Sequence, residues 1–189
     1  AEETKRCLQL FLGPGVTPKH LYTDNSKEIS KAIKELGWSG IHDKSTPNRS
    51  ETNGVVERAN RRVEGGASAV LGQSGFNTAW WAEAMNYFCF LHCIQDIVRG
   101  GQTPYRSRFG VDFDGPLIPF GAIVMYRPSS QKGRALLPKI GDKLLPGLFI
   151  GYHQKSGGDW TGDLLIVDKQ DLQVADSPGI NQVPVRRFK

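Results

Sequence analysis

The sequence has little cysteine. Cys7, Cys89 and Cys93 are its three thiols, an odd count at a spacing that fits no disulfide framework. That favours reduced thiols in an intracellular protein. Cys89 and Cys93 share an apolar run with His92, but a metal site needs more ligands than this run supplies. They are expected to be small apolar side chains on a buried helix. Long hydrophobic runs are also missing. The longest, near residues 79–94, is interrupted by Glu83, Asn86 and His92, so it reads as a core helix. Neither a membrane span nor a signal peptide is visible, and no membrane partner is expected. Internal repeats and low-complexity segments are absent. The chain begins with Ala1 in place of Met, which reads as a fragment of a longer protein.

What is present suits a globular protein. The 189 residues suffice for one medium domain or two small ones. Hydrophobic residues make up 39% and charged residues 23%, enough for a core and too apolar for a disordered tail. The 22 glycines and 11 prolines gather mostly in the second half, a sign of turn-rich β-structure there. A net charge of +5 favours a polyanionic partner such as nucleic acid.

Residues 2–12 read as a helix stopped by Gly13-Pro14-Gly15. Residues 19–23 (KHLYT) read as a strand with Asp24 at its C-terminal end. Ser26 is a natural N-cap for a helix carrying Ile29, Ala32, Ile33 and Leu36, with Gly37 as its stop. Residues 38–43 suggest another short strand, and 44–52 are loop chemistry. Asn53 would cap a helix to about Leu71, with a bend or break at Gly65-Gly66. Thr78 would cap a second helix over 79–98, its core face built from Trp80, Trp81, Ala84, Met85, Phe88, Leu91 and Val98. Beyond residue 112, short apolar runs at 121–127, 146–152 and 162–168 predict a small antiparallel β-domain. Tyr126, Tyr152 and Trp160 are expected to pack within it. The last dozen residues read as an extended basic tail.

Two carboxylates could carry chemistry. Asp24 ends a strand, and Glu57 lies one turn into a helix, with thirty-two residues (25 to 56) between them. A strand-end carboxylate and a helix carboxylate can converge. With a third, they can hold two divalent ions for in-line displacement at phosphorus. Magnesium or manganese suits such hard oxygen ligands. Glu51, in the polar loop, reads as a solvated charge, and Glu28 as support for a helix start. Arg58, Arg61 and Arg62 fall at i, i+3 and i+4 and share a helix face. With Lys44 and Arg49 they could neutralise phosphates along a DNA groove, or form a plain solvated basic face.

The surrounding motifs resemble those of retroviral and retrotransposon integrases, most closely the Copia-type elements. They are TDNSKE at 23–28, GI at 40–41, and the stretch from Pro47 to Arg62 that ends in NGVVERANRR. WWAEAMNY at 80–87 and TPYRSRFG at 103–110 follow in the family's order. So do IPFGAIVMYRP at 118–128 and LPGLFIGYHQKSGGDWTGDLLIVD at 145–168. The resemblance implies an α/β fold: an RNase H-like integrase core, truncated at its N-terminal end, over 1–112. A small SH3-like β-domain over 113–175 and a basic tail over 176–189 would follow. It implies an Asp, Asp, Glu triad with two Mg²⁺ (or Mn²⁺) ions that trims element ends and joins them to target DNA. Asp24 matches the second Asp, Glu57 the Glu, and Asn60 a residue beside the metal site. Double-stranded DNA, homo-oligomerisation of the full-length protein and a nuclear location are implied in the same way.

The sequence also departs from the family pattern. Residues 1–23 hold no Asp that could match the first ligand, and no His/Cys zinc-binding segment. Ser26 replaces a glycine, the Asp–Glu gap is slightly short, and Gly65-Gly66 is unusual. These departures suit a fragment or a decayed element that does not catalyse strand transfer on its own. Two other readings compete with the integrase: a non-catalytic nucleic-acid- or chromatin-binding remnant, and a structural relic.

Overall fold

Gly13 ends the first helix where the sequence places its stop. Helix α1 spans Glu2–Leu12, and Gly13 takes a left-handed φ of 90°. The computed structural model describes residues 2–45, 54–98, 100–128, 131–174 and 183–188. Strand β1 is His20–Thr23, helix α2 is Lys27–Glu35 and strand β2 is Ile41–Lys44. Ser26 caps α2 by accepting the amide of Ile29, and Gly37, at φ 65°, follows its end. Ala32 and Ile33 are the buried pair of α2. The loop prediction at 46–52, the Asn53 cap, Arg49 and Glu51 lie outside the described residues.

Strands β1 and β2 pair in parallel, with His20 opposite Ile41 and Thr23 opposite Lys44. Gly40 makes the approach possible: a β-carbon there would stand 2.1 Å from the carbonyl oxygen of Pro18. The two helices are tied by Lys5, which reaches Glu35 at 3.0 Å and Glu2 at 2.7 Å. These bonds raise the pKa of Lys5, and the same lysine lowers that of Glu35.

Helix α3 is Gly54–Ser74 and runs through Gly65-Gly66 without a break. A β-carbon at Gly66 would meet the Phe88 ring at 2.1 Å, whereas nothing lies within 4 Å of one at Gly65. Gly66 therefore marks a close helix crossing and not a hinge. A short 3-10 turn, Thr78–Trp80, leads into helix α4, Trp81–Gln95. Asn77, whose side chain accepts the Ala79 amide, caps the 3-10 turn, and α4 itself starts after Trp80 with no side-chain cap, so Thr78 does not cap it. The core face of α4 is Ala84, Tyr87, Phe90 and Ile94, and Trp80 just before it is fully buried. Trp81 is 59% exposed, and Cys89 and Cys93 are exposed too, contrary to expectation. A helix apolar on nearly every side gives the pattern no phase.

Helix α5, Pro104–Phe109, has Thr103 as N-cap and Gly110 at its left-handed end. Strand β3 (Ile123–Tyr126), helix α6 (Gln131–Ala135), strand β4 (Leu145–Gln154) and strand β5 (Trp160–Asp168) follow. Helix α7 is Lys169–Val174, and strand β6 is Val185–Phe188. The sheet order is β3-β4-β5-β6, with β3 antiparallel to β4 and β5 antiparallel to β6. Part of the expected tail is thus a strand. The rings of Tyr126 and Phe188, on the two edge strands, touch at 4.5 Å, so the sheet coils strongly.

By contacts the chain forms two compact units, residues 1–62 with 154–161, and residues 63–153 with 162–189. The first includes the turn between β4 and β5. There Gly157 donates to the Leu10 carbonyl at 2.8 Å, and Ser156 Oγ donates to that of Gln9 at 3.1 Å. The second holds a shared aromatic core. Tyr87 and Tyr152 stack nearly parallel, and Phe90, Phe113 and Phe149 surround Tyr152. Both hydroxyls fasten one loop: Tyr87 donates to the Ile118 carbonyl, and Tyr152 donates to that of Pro116. Tyr152 also accepts the Ile118 amide. Tyr126 is packed within the sheet as expected, whereas Tyr152, equally buried, packs largely on α4 and Phe113.

Candidate functional site

Asp24 follows the last residue of β1, where the strand gives way to the cap of α2. Its Oδ1 accepts the Ser26 amide at 3.0 Å, the turn that short polar side chains form with backbone two residues on. Asp24 is exposed, and no described residue hydrogen-bonds its Oδ2.

The backbone on both sides of Asp24 is held. Ser45 N–H donates to the Thr23 carbonyl at 2.9 Å, which extends the parallel ladder by one rung. Asn25 Nδ2 then donates to the carbonyl of Ser45, a buried residue, at 2.8 Å. Thr23 Oγ1 donates to the Asp24 carbonyl at 2.9 Å and lies 2.8 Å from His42 Nε2. One face of the ladder, with Leu21, Thr23 and His42, is half-buried. The other, with His20, Tyr22, Ile41 and Asp43, is exposed and carries a His20–Asp43 pair at 2.7 Å. Lys44 lies opposite Thr23, at the same end of the paired strands as Asp24, and is exposed.

Glu57 is in the first turn of α3, where a carboxylate complements the helix dipole. Arg58, Asn60, Arg61 and Arg62 continue the helix, and all are exposed. The spacing places Arg58, Arg61 and Arg62 on one side of α3. No described hydrogen bond or ion pair joins Glu57 to Asp24. Nor does any group of three or more His, Cys, Asp or Glu able to hold a metal form among the described residues.

Asp24 and Lys44 thus lie at the ends of neighbouring strands, with no ion pair between them among the described residues, while Glu57, Asn60 and the arginines share a separate helix. As donors, the carboxylate oxygens of Asp24 and Glu57 suit a hard divalent ion. Asp24 fits the part of one ligand, because one oxygen is oriented by the backbone and the other has no hydrogen-bond partner among the described residues. Sequence reasoning missed the surroundings of Asp24: Thr23, Asn25, His42 and Ser45. Thr23 and Asn25 flank the aspartate in TDN and were the available signal. His42 had none.

No family model matches the chain. Over 146 residues it is 29% identical to the Retrovirus-related Pol polyprotein from transposon TNT 1-94 of Nicotiana tabacum. The chain is similar to a retrotransposon Pol polyprotein. The match covers 74% of this chain and 11% of that polyprotein, so the chain spans about a tenth of its relative. The resemblance to Copia-type elements read from the motifs is thereby borne out. Among solved structures, the simian T-cell lymphotropic virus intasome in complex with PP2A regulatory subunit B56 gamma gives a TM-score of 0.39 at 15% identity. That overlap covers 90% of this chain and 55% of the other, and a likeness this low carries no argument.

Proposed function

We propose that this segment serves retrotransposon DNA integration as part of a metal-dependent integrase. The observation that carries the reading is Asp24, held at the C-terminal end of a parallel strand inside the TDN motif, in a chain similar to a transposon Pol polyprotein. In this reading the mixed α/β chain is the later part of an RNase H-like core followed by an SH3-like β-domain. Asp24 and Glu57 would each supply carboxylate oxygens to Mg²⁺ or Mn²⁺, with Asn60 beside them. A bound pair of ions would activate the attacking oxygen and stabilise the leaving oxygen at phosphorus. The chain's own part is to hold carboxylates and to seat the DNA backbone. Lys44, Arg49, Arg58, Arg61 and Arg62 would neutralise phosphates, which positions a duplex without choosing its sequence. Element ends and target DNA are the partners, in a homo-oligomer acting in the nucleus.

In the full-length Pol product that carries this segment, Glu57→Gln should abolish Mg²⁺-dependent strand transfer and leave DNA binding intact. Transfer that survives the substitution removes Glu57 from the ligand set. A second reading, a non-catalytic nucleic-acid- or chromatin-binding module, is favoured by the exposed row Arg58, Arg61 and Arg62, which can bind phosphates without either carboxylate. It predicts DNA binding with no transfer in any form of the protein.

A further inference from the structure

Thr23 and His42 form a small relay onto the backbone of Asp24. A carbonyl oxygen only accepts, so the Thr23 hydroxyl donates its proton to the Asp24 carbonyl at 2.9 Å. That hydroxyl has one proton. It must therefore accept from His42 Nε2, 2.8 Å away. The order of donation is His42 Nε2–H to Thr23 Oγ1–H to the Asp24 carbonyl, which places the imidazole proton on Nε2. On the far side of Asp24, the Asn25 amide donates to the Ser45 carbonyl. The Ser26 amide meanwhile orients Oδ1 of the carboxylate.

We propose that His42, acting through Thr23, is a positioning residue that sets the backbone of Asp24 so that its carboxylate presents Oδ2 to a divalent cation. The inference rests on the ligand role proposed for Asp24. A residue just past a strand end has lost the ladder that holds its neighbours, and its backbone would otherwise rotate. Here the relay takes over where the ladder ends, and it does so from a half-buried face. Partners outside the coordination shell commonly decide how well a carboxylate binds, because a ligand already oriented loses less freedom on binding.

The 189-residue chain itself supports the test, with Mn²⁺ as probe and paramagnetic broadening of backbone amides as readout. Broadening should centre on residues 24–26 and disappear in Asp24→Asn. Thr23→Val and His42→Ala should each raise the Mn²⁺ concentration required by about tenfold, with the amide shifts of the paired strands preserved. His42→Gln, whose side-chain amide can donate in place of the imidazole, should restore the original titration. Unchanged titrations in Thr23→Val and His42→Ala overturn the inference and leave the ligand role of Asp24 standing. So does a His42→Gln variant as weak as His42→Ala. Absence of broadening at Asp24 in the unsubstituted chain overturns the ligand role and the inference with it.

Discussion

Gly65 and Gly66 are neighbours with opposite requirements. An alanine at 65 enters open space on an exposed helix surface, and an alanine at 66 enters the Phe88 ring. Gly65→Ala should stabilise the chain by about 1 kcal/mol through helix propensity alone. Gly66→Ala should destabilise it by roughly 1–3 kcal/mol, because the ring, already packed at 4.2 Å on His92, must swing aside. Urea unfolding of the two variants gives the comparison, and a stabilising Gly66→Ala would refute the close crossing. Sequence alone reads both as helix breakers, since propensity sees one residue at a time and the Phe88 contact is tertiary. Trp80 and Trp81 show the same limit. They are chemically identical and adjacent, yet one is fully buried and the other 59% exposed. In a run with apolar residues on every side, only packing decides which face turns inward.

At the scale of elements, local signals served well wherever punctuation was strong. Gly13-Pro14-Gly15 closes α1, and Ser26 with Gly37 brackets α2. The strand at β6 was hidden, because its ladder partners Leu164 to Val167 lie about twenty residues upstream in β5. So was the relay at Asp24, whose members come from two strands that meet only after pairing. The tyrosine clamp on residues 116–118 is another non-local device with a measurable cost. Tyr152→Phe leaves the Ile118 amide and the Pro116 carbonyl without their hydroxyl partner, and should lose about 1–3 kcal/mol in unfolding experiments. Burial raises the pKa of Tyr87 and of Tyr152, and burial together with the bond to Asp168 raises that of Tyr126. A raised folded pKa favours the neutral phenol, so this stabilisation is complete below the unfolded value near 10. It is lost as pH climbs through the folded values. The melting temperature should therefore fall above about pH 10, and the double variant Tyr87→Phe/Tyr152→Phe should fall less steeply. An equal decline in both would show that these hydroxyls are not the titrating groups.

For the whole molecule, a charge of +5 says only that a polyanion is welcome. The structure is more specific, since Arg58, Arg61 and Arg62 occupy one exposed side of α3. If all three meet phosphates, replacing them together by Ala should flatten the slope of log K against log salt by about 2.7. Fluorescence anisotropy with a labelled duplex at several salt concentrations measures this, and an unchanged slope would assign the binding to other cations. The order of motifs along the chain was legible because the resemblance is carried by local words such as TDN and NGVVER. How the chain divides by contacts was not legible, because it depends on a return of the chain far downstream.

That return has a consequence for synthesis. The last carbonyls of α1, at Gln9 and Leu10, are met by Ser156 and Gly157, and residues 154–161 complete the first unit. A nascent chain therefore releases α1 from the ribosome long before the turn that meets its end is made. Until residue 161 emerges, the first unit lacks the turn that meets α1, so its completion waits on a stretch translated after most of the second unit.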